Sequence, residues 1–196
     1  MNFKESGKLK AVTFSYDDAV TQDIRLIELL NKYGLKATFN LNSQALGSRG
    51  MLECLNQRVC HYKIHPEDLK IVYEGHEVAS HTYSHELNFA TASLEEMWTE
   101  INQTNLAIAK STGYAPDYVR FPGGSAGKKS LEIPMIIVNW NIDSLDYKYK
   151  KQDDGADVIY DRLMKFTDRA DSGIVLMHSI YQNSFDGVER FVEYLV

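Results

Sequence analysis

The chain has 196 residues, 44% of them hydrophobic and 24% charged, which suits a single globular domain with a sizeable core. Its net charge of −6 comes without any Lys/Arg-rich run, which speaks against a nucleic-acid or anionic-membrane surface, since both demand clustered positive charge. No apolar stretch approaches the roughly 20 residues that cross a bilayer, so membrane insertion is not expected.

Short β-branched and aromatic runs alternate with helix-period segments, without repeats or a Pro/Gly/Ser linker. That pattern predicts one α/β domain over residues 1–196. Strands are expected over 10–14, 36–41, 76–80, 118–121, 135–140 and 173–177. The first helix should begin near Thr21, carry Ile24, Ile27 and Leu30 on one face, and stop at Gly34, a residue suited to a left-handed cap. A second is expected from Pro66 to Gly75. The third opens on Ser93-Leu94-Glu95-Glu96, a capping box, and closes at Gly113. Within it Met97, Trp98, Ile101 and Leu106 are expected in the core. Later helices should cover 156–169 and 184 to the end. The interval 125–134 is too short for loops plus a full crossover helix, and Pro134 interrupts it.

The N-terminus MNFKESGKLK lacks the apolar core of a signal peptide, so the sequence as it stands reads as cytoplasmic, or as extracellular or cell-wall if an export signal has been removed. Cys54 and Cys60 are too few for a disulfide framework and are expected as free thiols.

Titratable residues gather where the predicted strands end: Asp17 and Asp18, then His81 and His85, Arg120, Asp143 and Asp146, and His178. In parallel α/β folds that is the end where sites are built. Asp17 and Asp18 repel each other unless a cation sits beside them. His81 and His85, four residues apart, would share one face of a helical turn and reach one ion. His61 and His65 have the same spacing, but Pro66 disfavours helical backbone at His65, and a plain loop is expected there. A catalytic divalent-ion site takes three protein ligands and leaves one position open, and two imidazoles with one carboxylate are a common set. Neighbouring strand residues point to opposite faces, so both aspartates serve one site only if the chain turns there. One would then bind the ion while the other stays free as a base.

Five segments in order resemble the motifs of the polysaccharide deacetylases, carbohydrate esterase family 4, also called the NodB homology domain. They are Thr13-Phe14-Ser15-Tyr16-Asp17-Asp18, Ser80-His81-Thr82-Tyr83-Ser84-His85, Arg120-Phe121-Pro122-Gly123, Asp143-Ser144-Leu145-Asp146 and Leu176-Met177-His178. The resemblance implies a distorted, incomplete (β/α) TIM-like barrel that removes acetyl groups from sugars, with one divalent ion, most often Zn2+, with Co2+ or a similar ion as the alternative. It further implies Asp18, His81 and His85 as metal ligands, Asp17 as general base and His178 as general acid. Arg120 would pair with Asp17, Asp146 would orient His178 and raise its pKa, the Gly123 amide would hold the developing oxyanion, and Leu176 would wall the acetyl-methyl pocket. Tyr147 stands where the family often has Trp and would line the groove, and Ala19 replaces a usual Gly, which matters if that turn needs positive φ. The expected substrate is an acetylated carbohydrate containing N-acetylglucosamine. An O-acetyl esterase on xylan or a small acetylated molecule, and a catalytically silent sugar-binding homologue, are the alternatives.

Overall fold

The computed structural model describes residues 11–54, 57–124, 126–169 and 172–196. In chain order the elements are β1 (Ala11–Asp17), α1 (Asp23–Lys32), β2 (Ala37–Leu41), β3 (Arg49–Cys54), β4 (Gln57–Tyr62), α2 (Leu69–Val72), β5 (Glu77–Ser80) and α3 (Leu94–Thr112). Then follow β6 (Tyr118–Val119), β7 (Ile136–Ile137), β8 (Ile142–Asp143), α4 (Asp146–Tyr149), α5 (Gly155–Arg169), β9 (Ser172–Met177) and α6 (Gln182–Leu195). Residue 10, the expected start of the first strand, lies outside the described residues.

Seven strands form one sheet in the order β7-β6-β5-β2-β1-β9-β8, each pair parallel. Its two edge strands are separated in the chain only by residues 138–141. That link reaches about 17 Å at full extension, whereas a flat seven-stranded sheet is about 29 Å across. The sheet therefore has to curl, and the result is the incomplete barrel that the motifs imply. The expected strand over 135–140 is in fact split. Its first part pairs with β6, and the chain then crosses to bond β9, with Val138 N donating to Val119 O at 2.9 Å and Asn141 N to Ile174 O at 3.2 Å.

Side chains alternate along β1. Phe14 and Tyr16 face outward into a core with Phe39, Val175, Met177 and the apolar stripe of α6, where Phe191 meets Phe14 edge-on at 6.1 Å. Ser15 and Asp17 take the opposite face, the barrel interior, which holds a cavity of about 190 Å³ lined by Thr13, Ser15, Thr38, Asn40, Glu77 and Arg120 among others. A second apolar cluster packs α3 through Met97 and Ile101 against Val119, Phe121 and Phe89.

Several expectations need correction. On α1 the buried face is Leu26, Ile27, Leu29 and Leu30, while Ile24 is exposed. On α3, Trp98 and Leu106 are exposed rather than core. The short hairpin β3–β4, antiparallel from Arg49↔Tyr62 to Cys54↔Gln57, and the single turn α4 were not anticipated. The short crossover is as expected: between β6 and β7 the described residues form only the 3-10 turns Pro122–Gly124 and Lys128–Glu132. Cys60 is a free thiol, and the side chain of Cys54 lies outside the described residues.

Candidate active site

Asp17 closes β1 on the interior face and is buried, at 4% exposure. A carboxylate there needs partners, and it has them: Asn40 Nδ2 donates to Oδ1 at 2.8 Å and Arg120 Nη1 to the same oxygen at 3.0 Å. Oδ2 is left facing His81, 3.6 Å from Nε2. Arg120 is itself fully buried just beyond β6, with Nε donating to Val138 O at 3.4 Å and its guanidinium 5.5 Å from the Trp140 ring.

Beyond Asp17 the strand ends in a turn. Asp18 has φ 90° and Ala19 φ 52°, which swings the second carboxylate back to the same end of the barrel. Its Oδ1 lies 3.8 Å from His85 Nε2 and accepts from Asn42 Nδ2 at 3.4 Å. His81 Nδ1 lies 2.8 Å from the carbonyl oxygen of Arg120. A carbonyl only accepts, so Nδ1 carries a proton, which leaves Nε2 as the nitrogen that can face an ion. Among the described residues, Asp18, His81 and His85 are the one group of three whose ligand atoms all lie within 4.8 Å of one another. The two histidines do not sit on a helical turn, as their spacing suggests. They belong to a loop bent by positive φ at Thr82 (68°) and His85 (65°) and tied to α3 by Glu100, which accepts from Tyr83 N at 2.9 Å and Ser84 N at 2.8 Å.

The protonation states suit a cation. Burial alone would push the Asp18 carboxyl up, but Lys63 and then His178, His81 and His85 outweigh it and bring it down to about 2. Burial, joined by repulsion from His81, holds His85 below the usual imidazole value and so favours the neutral ligand form. Two imidazole nitrogens and one carboxylate oxygen are a donor set for a divalent ion such as Zn2+.

The third group comes from β9, which pairs with β1 on the side away from β2 and β5. His178 follows β9, and its Nδ1 lies 2.9 Å from Asp146 Oδ1. Asp146 is fully buried and also accepts from His178 N at 2.6 Å and Ser184 Oγ at 2.9 Å. Burial would lower the His178 pKa, but the facing Asp146 carboxylate and its hydrogen bond prevail, with help from Asp18 and Asp17, and raise it to about 10. Leu145, at φ 55°, turns the chain into α4, and Asp143 Oδ1 caps that turn by accepting from Leu145 N at 2.9 Å.

The rings of Tyr147 and Tyr181 stand 6.3 and 6.1 Å from His178. Leu176 lies between core residues Val175 and Met177 on β9, so its side chain takes the interior face. Gly123 is exposed at φ 65°, with nothing within 4 Å of where a Cβ would stand. His61 is buried on β4 while His65 is exposed in extended backbone before Pro66, so this pair makes no site among the described residues.

Four residues at or beside the site escape the sequence pattern. Asn40 and Asn42 were detectable as polar residues at the end of the second strand. Lys63 and Asp23 carry no such signal. Lys63 donates from Nζ to the backbone carbonyl of Asp18. Asp23 accepts from Tyr73 Oη at 2.6 Å and from Ser179 Oγ, and burial, working against those bonds, raises its pKa to about 7.

A family model described as polysaccharide deacetylase matches residues 4–134, about two thirds of the chain. The chain belongs to the polysaccharide deacetylase family. The peptidoglycan-N-acetylmuramic acid deacetylase PdaC of Bacillus subtilis is 31% identical over 192 residues, 95% of this chain and 36% of that protein. The peptidoglycan-N-acetylglucosamine deacetylase PgdA of Listeria monocytogenes is 26% identical over 179 residues, covering 89% of this chain and 34% of its own length. The chain thus spans about a third of these curated relatives. The solved structure of PdaC from Bacillus subtilis superposes with a TM-score of 0.74 at 26% identity, over 96% of this chain and 84% of that one. Among the described residues, no helix is long and apolar enough to cross a membrane.

Proposed function

We propose that this polysaccharide deacetylase is a metal-dependent hydrolase that removes acetyl groups from N-acetylated sugars in a glycan or oligosaccharide containing N-acetylglucosamine, releasing acetate. The observation that carries this reading is the convergence at one barrel end of the Asp18, His81 and His85 donor atoms, all within 4.8 Å, with the Asp17–Arg120 and Asp146–His178 pairs. Asp18, His81 and His85 would hold the ion, Zn2+ or Co2+ by donor type; when bound it supplies Lewis acidity that makes water nucleophilic and polarises the acetyl carbonyl.

The protein's own groups do the rest. Arg120 and Asn40 both engage Oδ1 of Asp17, so Oδ2 is the oxygen available to take the proton from the attacking water. Negative charge then grows on the former carbonyl oxygen, and the Gly123 amide, in a turn with φ 65°, would donate to it, a contribution of roughly 3 kcal/mol for one such donor. His178, held protonated by Asp146, gives its proton to the departing amine nitrogen. Leu176 and Tyr147 would bound the acetyl and sugar sites. The similarity to PgdA and PdaC, both peptidoglycan deacetylases, supports a wall glycan and hence a cell-wall place of work over a cytoplasmic one.

The test is acetate release from chitin oligomers, peptidoglycan fragments and acetylated xylan, each with and without chelator. Release from the N-acetylated substrates, abolished by chelator and lowered about 10²- to 10⁴-fold by Asp17→Asn, is expected. Release from xylan alone would make the chain an O-acetyl esterase, and none from any substrate would make it a silent binder.

A further inference from the structure

Lys63 stands at the foot of the β3–β4 hairpin and is only 9% exposed. A buried ammonium has to find an acceptor, and this one donates to the backbone carbonyl of Asp18. The residues on either side of it grip the same turn. Thr21 N donates to Tyr62 O at 2.9 Å, Ile64 N donates to Ala19 O at 2.9 Å, and Val20 and Lys63 form an antiparallel bridge. Residues 62–64 therefore lie along 18–21 as a clamp, at the one place among the described residues where two consecutive non-glycine residues hold positive φ.

The peptide groups of Asp18 are tied on both sides. Its N–H donates to Asn40 O at 3.1 Å, which continues the β1–β2 pairing, and its carbonyl is met by Lys63. With both ends fixed, the Cα–Cβ direction is fixed too, and that direction sends the carboxylate toward His81 and His85 rather than to the outer face that strand alternation would give the residue after Asp17. We propose that Lys63 is a positioning residue for the metal site, tethering the left-handed turn so that the Asp18 carboxylate meets His81 and His85 in one defined geometry. This rests on the metal reading of the site.

Two effects of Lys63 have to be told apart. Its positive charge opposes a dication by Coulomb repulsion, whereas its tether favours binding, so affinity alone mixes the two. Coordination geometry responds to the tether. The experiment therefore titrates Co2+ into the metal-free full chain and records the visible ligand-field band along with the dissociation constant. Wild type, Lys63→Met, Lys63→Arg and Asp18→Ala are compared, with far-UV circular dichroism confirming the fold of each.

Wild type is expected to bind one Co2+ with a band of defined position and intensity, and Asp18→Ala to lose that band. Lys63→Met should alter the band and weaken binding about tenfold, and Lys63→Arg, which keeps a long cationic donor, should restore the band. Should Lys63→Met not fold, Lys63→Gln, polar but one bond shorter, is the substitute and is expected to alter the band likewise. An unchanged band in a folded Lys63→Met or Lys63→Gln chain, whatever the affinity, overturns the positioning role while leaving the metal site standing. Failure of wild type to take up Co2+ overturns the metal reading itself, and this inference with it.

Discussion

At the scale of single residues, the site is where the backbone is under strain. The described non-glycine residues with positive φ are Asp18, Ala19, Thr82, His85 and Leu145, and every one follows a strand that feeds the site. Left-handed backbone costs an L-residue about 1–2 kcal/mol, so the sequence tolerates it where side chains must be aimed. Ala19 is the clearest case, since its position needs φ 52° and its methyl is buried. Ala19→Gly removes the strain but also loses the buried methyl and stiffness in the unfolded chain, so thermal unfolding should show a net change of less than about 1 kcal/mol. Ala19→Val, branched at the same φ, should cost more than about 2 kcal/mol; equal stability of the two variants would contradict a strained turn.

His178 allows a prediction in pH. Its pKa of about 10 in the folded chain exceeds the ordinary 6.5, so folding strengthens its hold on a proton. The stability drawn from this is complete below about 6.5 and drains away as pH climbs through about 10. Asp146→Asn should flatten that dependence in thermal melts, and it should move the alkaline limb of acetate release down by about one pH unit or more. A limb that stays put would assign the acid role elsewhere. The titratable members of the site were legible in the sequence because they fall at strand ends. Their backbone geometry was not: four-residue spacing suggested a helical turn for His81 and His85, and left-handed turns put the rings 4.9 Å apart instead.

Among the elements, those whose ends are set locally were the most readable. Ser93 accepts from Glu96 N while Glu96 answers at Ser93 N, and Gly113 closes the helix at φ 92°, all from neighbours in sequence. The strands β6, β7 and β8, two residues each, are too short to show periodicity, and closure of the barrel rather than propensity decides their pairing. The hairpin escaped because Leu55-Asn56 between its strands carries no glycine or proline to mark a turn. Helix α6 was expected from residue 184 onward, and its docking depends on Phe191, fully buried edge-on to Phe14. Phe191→Ala should therefore destabilise the fold by about 3–5 kcal/mol in denaturant melts, and a loss under about 1 kcal/mol would mean α6 contributes little to the core.

Over the whole molecule, one geometric fact organises the rest: residues 138–141 join the two edges of the sheet, so seven parallel strands curl until their C-terminal ends surround a common space. The interior below that space carries polar side chains among apolar ones, and Asn40 and Arg120 reach Asp17 there from segments that are distant in the chain. The short crossover after β6 does not prevent this, because the proposed ligands follow β1 and β5 and the proposed acid follows β9. What remains decisive is whether Asp18, His81 and His85 share a single ion. The direct measurement is metal content per chain by elemental analysis after loading with Zn2+ and desalting, for wild type, Asp18→Ala and His81→Ala. About one zinc per wild-type chain, and its loss in both folded variants, is the expected result. Zinc absent from wild type, or retained one-to-one by the variants, would contradict the shared site and with it the deacetylase mechanism built on it.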